Sequence, residues 1–544
     1  MKPTQPGGSA ILNDFRAAMQ WQRAQQYATR PAHQRSFKAA ATDRLTADWL
    51  TGSAGINALL EAHLDVLRER SSSWARNDES GRRFTTLIKN GIVGPNGFRL
   101  KMRAGQWVKA KGGYKWQLDN LANTAVQEAW LRFCRRGNCD VTGRYSFTEL
   151  CNLNAVSAAI KGEFINRHVL GDKKQPYRLQ ALAVDRLAVR QRAMPSGDTA
   201  LRMGVEHNSA GRPLAYHLLA YSPADPFGSL STHGLAAERV PAGDILHDFI
   251  TLEPEQLRGA PWAHAVLLGS HLLHGFEESA VFAARAGASH MGFYIQGDSD
   301  TGPVKTDQDL GAAEDTTTGQ MLTSFEPGAL ELLPKGVKDF KAFDAKYPSE
   351  AFAPFVLNRR MAMAAGLDVT YHALTGDMTK VNYSSARIAE LSERDNWRSL
   401  QSWFISGFIF PVFKKWLEME LLAGNVLMPG GQPLPLGKLE KFVDGAVFQG
   451  RGWEWVDPLN EAKASQLARQ EGLITRTQIV AAKGGDFEDN LIEIAAEEEL
   501  AALHKVTLGV PAGQGGGAGQ GGANGSGTPP ADDDPAEGKQ KEPA

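Results

Sequence analysis

Residues 367–403 read LDVTYHALTGDMTKVNYSSARIAELSERDNWRSLQSW. A polar, helix-breaking segment, 375–383, stands there between an apolar helix and a long amphipathic one. Gly376 and Asn382 suit special backbone angles, so the segment reads as polar and flexible. Ser384 or Ser385 is placed to cap the following helix, whose N-terminus favours anions. Lys380 is the cation of the segment, and Arg387 sits in the next turn.

Working outward, residues 354–365 and 385–422 read as helices, the second bent at Pro411. Helices are also expected over 56–70, 81–90, 118–136 and on from 147 toward Leu170. GFRLKMRA (97–104) reads as a strand after the Gly94–Pro95 turn. Between Gln180 and Phe249 the pattern changes to short β-type runs, RLQALAV, PLAYHLLAY and DILHDFITL, with turns between them. Pro261 then opens a helix running to about Ala288. Residues 298–317 form an acidic, Gly/Thr-rich loop, and three short helices are expected over 459–505. Residues 1–55 read as an arm. The Gly/Pro/Asp-rich stretch past Val510 has too little apolar surface to fold.

A chain of 544 residues with 42% hydrophobic and 22% charged residues is an ordinary globular composition with room for several compact units. The most apolar window, 403–422, is broken by Pro411, Lys414, Lys415 and Glu418, so no membrane span is expected. MKPTQPGGSAILNDF has no continuous apolar core, so no secretory signal is expected. Cys134, Cys139 and Cys151 fit a reducing compartment better than a disulfide framework. The net charge of −2 argues against tight static DNA binding, though it does not exclude a channel through which DNA slides.

Catalytic signatures are weak. No G-x-x-x-x-G-K-[ST] loop and no G-x-S-x-G elbow occur. His271 and His274 lie one turn apart, with Glu277 and Glu278 following, but lack the H-E-x-x-H arrangement. A metal-dependent hydrolase using the histidines of 247–274 is therefore the alternative reading, with packing or surface roles for those histidines beside it. The acidic residues Asp298, Asp300, Asp307 and Asp309 miss the EF-hand positions. No cofactor is implied.

Five blocks carry a resemblance. They are RERSSSWARNDESGRRFTTLIKNGIVGPNGFRL (68–100), CDVTGRYSFTELCNL (139–153), LRGAPWAHAVLLGSHLLHGFEESAVFAARAGASHMGFY (257–294), the opening block from Ala364 to Ser385, and GWEWVDPLNEAKASQLARQEGLITRTQIVAAKGGDFED (452–489). In order and spacing they resemble the portal proteins of tailed bacteriophages, lambda-like branch. The fourth block, with Tyr371, Thr375, Gly376, Asp377 and Asn382 to Ser385, is the most specific.

That resemblance implies an α+β fold with an outer wing, a helical stem, a β-containing clip and a helical crown, assembled as a ring of about twelve copies. It maps 1–55 to an arm, 56–174 to the first part of the wing with a stem helix, and 175–250 to the clip. Residues 251–290 would be a stem helix, 291–455 the second part of the wing with a tunnel loop at 375–383, 456–505 the crown, and 506–544 the tail. Lys380, Thr379, Asn382 and Arg387 become candidate channel- or DNA-facing residues. Implied partners are other copies of the chain, double-stranded DNA, the terminase large subunit, a major capsid or scaffold protein, and a head–tail connector. The implied site is the portal vertex of the virion, after assembly in the host cytoplasm. The terminase motor, and not this chain, hydrolyses ATP in that scheme.

Overall fold

The computed structural model describes residues 54–110, 113–190, 192–223, 237–288, 292–296, 313–314, 321–322, 337–342, 351–379, 382–453, 458–504 and 506. The expected arm, the 298–317 loop, Lys380 and the tail beyond Val506 lie largely or wholly outside them. The chain divides into two units, Met1–Gly450 and Arg451–Ala544.

The first unit opens with α1 (Ile56–Asn77), which buries Leu60, Leu64, Arg68, Ser71, Ser72 and Trp74 at helical spacing. Asp78 ends it and caps α2 (Glu79–Ile88), its carboxylate accepting from the Ser80 and Gly81 amides. A π-turn, Lys89–Val93, comes directly after. Gly91 is required there, because a Cβ would come within 2.3 Å of the Trp397 ring. β1 (Arg99–Met102), the hairpin of β2 (Gly105–Ala110) and β3 (Gly113–Leu118), and α3 (Asn120–Phe133) come next.

α4 (Phe147–Lys161) starts in a capping box between Ser146 and Glu149. The helix expected to continue toward Leu170 stops at Gly162, whose φ of 92° no helix accommodates. EFINRHVL is instead β4 (Glu163–Leu170). Its β-branched residues and its pairing on both sides, to β5 (Tyr177–Leu182) and β11 (Ile245–Phe249), override the helical pattern.

The expected β-rich stretch is present. β6 (Ala193–Ser196), β7 (Thr199–Arg202), β8 (Val205–Asn208), β9 (Pro213–Leu219) and β10 (Ala237–Pro241) form an antiparallel sheet in sequence order. Val184, Leu187, Val205, Tyr216, Leu218 and Val240 pack its core together with Ile165 and Ile245 of the neighbouring sheet. The helix expected from Pro261 begins later. Trp262–Ala265 is a 3-10 turn, and α5 runs from Leu267 to Ala288, about 33 Å at 1.5 Å per residue. Val266, Leu267, Ser270, Leu273 and Ala280 are buried, whereas Leu272 and Val281 face solvent in the isolated chain. Beyond it, β12 (Gly292–Gln296) pairs with β15 (Val337–Ala342), and β13 (Ala313–Glu314) with β14 (Met321–Leu322).

α6 (Phe352–Gly366), the short α7 (Tyr371–Thr375), α8 (Tyr383–Phe404) and α9 (Phe410–Ala423) succeed one another along the chain. The irregularity expected at Pro411 is a π-turn at Ile405–Ile409, and Pro411 itself follows directly after it, as the second residue of α9. α9 forms the centre of the unit. Trp416 lies 4.9 Å, centroid to centroid, from Trp130 of α3, and Phe413 lies 5.5 Å from both Trp130 and Phe448. α10 (Leu439–Asp444) leads to β16 (Ala446–Gln449), which returns to pair with β1 in the register Arg99 with Gln449. Helices and antiparallel sheets occupy separate stretches, the α+β arrangement expected. The second unit holds α11 (Pro458–Gln470), α12 (Arg476–Ala482) and α13 (Phe487–His504), with α12 opened by a capping box between Thr475 and Gln478.

Candidate functional site

The 375–383 segment is tied down at its N-terminal end by one carboxylate of α8. Glu393 Oε2 accepts from the Thr370 amide at 3.0 Å and from the Thr370 hydroxyl at 2.6 Å, while Oε1 accepts from Trp397 Nε1 at 3.1 Å. Asn396, also on α8, donates to the Asp368 carbonyl, where φ is +54°. On the other side, Arg83 of α2 donates to the Ala373 carbonyl at 2.7 Å. Thr370 caps α7 by accepting from the Ala373 amide.

The chain then leaves the helix through Gly376 at φ 75°, the left-handed angle expected of a glycine there. Asp377 organises the residues around it. Its Oδ1 accepts from the Thr379 amide at 2.9 Å and from the Thr379 hydroxyl at 2.7 Å, and its Oδ2 accepts from the Tyr371 phenol at 3.1 Å. Burial and the Asp377 carboxylate both push the Tyr371 phenol up. Residues 375–379 are therefore a turn fixed by its own side chains, more ordered than the flexible connection expected.

Of the four candidate residues, Thr379 is exposed with its hydroxyl engaged by Asp377. Asn382 is exposed and occupies the cap position of α8, its carbonyl accepting the first helical hydrogen bond, from the Ala386 amide. Ser384 and Ser385, expected to cap, lie one and two residues inside the helix. Asn382 is not among the described non-glycine residues with positive φ; Asp368 takes that role in this region. Arg387 is half-buried in the first turn. Lys380 lies outside the described residues. Met378 is 62% exposed and Ile388 70%, so apolar as well as polar side chains flank the turn. Glu393, Thr370 and Trp397 were not singled out from the sequence, because a glutamate midway along an amphipathic helix carries no local signal.

A cleft of about 350 Å³ beneath the turn is lined by Asp78, Arg83, Ser270, Glu277, Arg360 and Thr375 among others. Its two arginines are committed, Arg83 to the Ala373 carbonyl and Arg360 to Glu277 at 2.7 Å. With three acids beside them the cleft is not a phosphate cradle.

The largest concentration of buried charge lies elsewhere. Glu163, at the start of β4, receives Arg258 Nη2 at 2.6 Å, Arg258 Nε at 2.9 Å and the Gly259 amide at 2.8 Å. Arg68 Nη2 lies 2.6 Å and His247 Nε2 3.2 Å from the same carboxylate. Burial alone would raise the carboxyl pKa, but Arg258, Arg68 and His247 hold it well below the ordinary range. Arg258 also donates to the Leu187 and Met203 carbonyls, so with Arg68 on the same carboxylate the cluster joins α1, β4, the segment before β6 and the β7–β8 turn. This hub is architectural.

The histidines of the hydrolase alternative do not converge. His247 is in the hub, His264 contacts the Pro261 carbonyl, and His274 pairs with Glu278 at 3.3 Å on the exposed side of α5. Among the described residues no three His, Cys, Asp or Glu side chains are placed to hold a metal ion. That alternative finds no support.

Comparison with known proteins agrees with the architecture. The family model described as phage portal protein, lambda family, matches residues 42–401. The chain is 30% identical over 510 residues to a probable portal protein of Halomonas phage phiHAP-1, covering 91% of this chain and 93% of that one. It is 21% identical to portal protein B of Escherichia phage lambda, covering 81% of this chain and 85% of that one. A solved chain from the neck of a native gene transfer agent particle covers 82% of this chain and 99% of its own, at 14% identity and a TM-score of 0.40, too loose a likeness to carry an argument. The match over residues 42–401 and the full-length relative establish that this chain belongs to the lambda family of phage portal proteins.

Proposed function

We propose that copies of this chain form a ring of about twelve at one vertex of a capsid. Double-stranded DNA passes through its centre into the head during packaging and out during ejection. The observation that carries this reading is the family match combined with near full-length similarity to a phage portal protein. In this role the chain is a structural component, and the terminase large subunit that docks on it supplies ATP hydrolysis. A major capsid or scaffold protein surrounds the ring, and a head–tail connector binds it after packaging. The ring assembles in the host cytoplasm and stays in the virion.

Within that reading, residues 175–250 serve as the clip, 251–290 as a stem helix, 456–505 as the crown, and the two flanking stretches, 56–174 and 291–455, as the wing. The turn at 375–383 serves as the tunnel loop. Its support is chemical: a turn held by Glu393 and Asp377 presents Thr379 and Asn382 outward, and Lys380 is next to Thr379 in sequence. Arg387, one turn into α8, adds a second cation per subunit near the same place. Near-neutral net charge leaves such a lumen without a deep electrostatic well along the path.

Deleting the coding sequence from its own phage genome tests this. DNA-filled heads should disappear and return when the chain is supplied in trans. Filled heads forming without it would reject the reading.

A further inference from the structure

The β2–β3 hairpin has no part in the proposed channel. Its strands pair over six positions, from Gly105 with Leu118 to Ala110 with Gly113, and among the described residues the sheet has only these two strands. Both outer edges therefore offer backbone N–H and C=O groups. Side chains alternate between faces, so Trp107, Lys109, Tyr114 and Trp116 share one. Trp107 stands opposite Trp116, with ring centroids 5.4 Å apart and planes at 71°, and Lys109 stands opposite Tyr114. Trp116 also leans over Gly105, where a Cβ would come within 2.7 Å of its ring.

This aromatic face is open to solvent. Trp107 is 65% exposed, Tyr114 72% and Trp116 43%. That leaves on the order of 400 Å² of aromatic surface in water, the size of patch that marks an interaction site. A two-stranded hairpin is also marginal without something packed against it.

Charge identifies the partner. From Phe98 to Gln117 the chain carries Arg99, Lys101, Arg103, Lys109, Lys111 and Lys115 and no acid. Lys109 and Lys115 are exposed on opposite faces of the hairpin. Pairing with the same hairpin of a second copy sets like charges together and is disfavoured, and a neighbouring copy that offers a different surface is distinguished by the test below. Nucleic acid fits less well, because the edge-to-face tryptophans cover one another and offer no flat platform for bases. A polypeptide strand uses what is present, hydrogen bonding along a free edge and anchoring apolar side chains on the aromatic face.

We propose that the hairpin docks an acidic, extended segment of another protein. The segment adds as a third strand, lays its apolar side chains over the face that Trp107 and Trp116 share with Lys109, and turns its carboxylates to the opposite face, where Lys115 stands.

The test uses the full chain and a fluorescein-labelled peptide of alternating glutamate and valine, followed by anisotropy. A second peptide of equal charge carries proline at alternate valine positions and cannot form a strand ladder. Saturable binding of the first peptide is expected. It should weaken about tenfold or more, a loss of about 1.4 kcal/mol or more, in Trp107→Ala/Trp116→Ala, in Lys109→Glu/Lys115→Glu, and with the proline peptide. Since the replaced side chains are exposed, both variants should melt as the wild type does, and the lysine pair keeps the test open if the tryptophan pair misfolds. Equal binding by the variants, or by the proline peptide, overturns the proposal. So does tighter binding of a duplex oligonucleotide through the same residues. Loss of self-association in the variants, with no peptide binding by the wild type, would assign the face to a second copy and overturn it as well.

Discussion

Glu163→Gln keeps the shape of the buried hub and removes its negative charge. The two guanidinium groups it faces, Arg68 and Arg258, are 1% and 0% exposed, so neither finds water as a substitute partner. Glutamine still accepts one hydrogen bond but leaves two like charges in a low-dielectric interior, and breaking a buried pair in this way costs about 3–5 kcal/mol. Domain stability is of the order of 5–15 kcal/mol, so this is a large fraction of it. At roughly 2–4 °C per kcal/mol for sizeable domains, the melting temperature should fall by about 6–20 °C. The pH dependence provides a second check. The folded carboxyl sits well below its ordinary value, so its contribution is complete above about pH 4.5 and is lost as pH falls through the folded pKa. The gap between wild type and variant is thus widest near neutrality and closes in acid. Calorimetry from pH 3 to pH 7 measures both. A variant melting within about 1 °C of wild type at pH 7, or a gap that widens in acid, would refute the assignment of the hub as a charge-dependent clamp.

Trp416→Ala removes a fully buried ring packed edge-on against Trp130 and tilted against Phe133 and Phe413; a loss of about 3–5 kcal/mol is expected, read as a lowered denaturation midpoint, and an unchanged midpoint would displace α9 from the centre of the core. Glu393→Ala frees Thr370 and Trp397, so amide hydrogen exchange over 370–379 should accelerate while helix content by circular dichroism is unchanged; unaltered exchange would show that Glu393 does not hold the turn. Lys380→Ala should leave ring formation intact and alter DNA packaging or retention; normal packaging and retention would remove Lys380 from the channel-facing residues.

Structure is legible in the sequence where local physics decides the outcome. Gly376 takes the left-handed angle, the 177–249 stretch is β-rich, and α6, the α8–α9 run taken together and α11 to α13 begin and end within a few residues of where periodicity places them. Expectation and structure part where long-range contacts decide. Gly162 ends α4 because the chain must turn there against Gly259 and Ala260, whose backbone atoms a Cβ would meet at 2.5 Å. EFINRHVL becomes a strand because β5 and β11 flank it, and neither partner is visible from the octapeptide itself. The π-turns at 89–93 and 405–409 have no sequence signature beyond Gly91 and Gly407, and the first is pinned by Gln401 donating to the Gly91 carbonyl 310 positions away. The hub is legible only in retrospect: Glu163 and Arg258 are single charges in apolar surroundings, GEFIN and QLRGA, which is a hint of burial with a partner. At the candidate site, Thr379, Asn382 and Arg387 can be named from the segment alone, whereas Glu393, which holds the segment, lies further along the helix.

Electron microscopy of the purified full chain tests the central claim most directly. Class averages should show closed rings with rotational symmetry and an axial hole wide enough for duplex DNA. A chain that stays monomeric at high concentration, or that forms only closed particles without an axial opening, would contradict it.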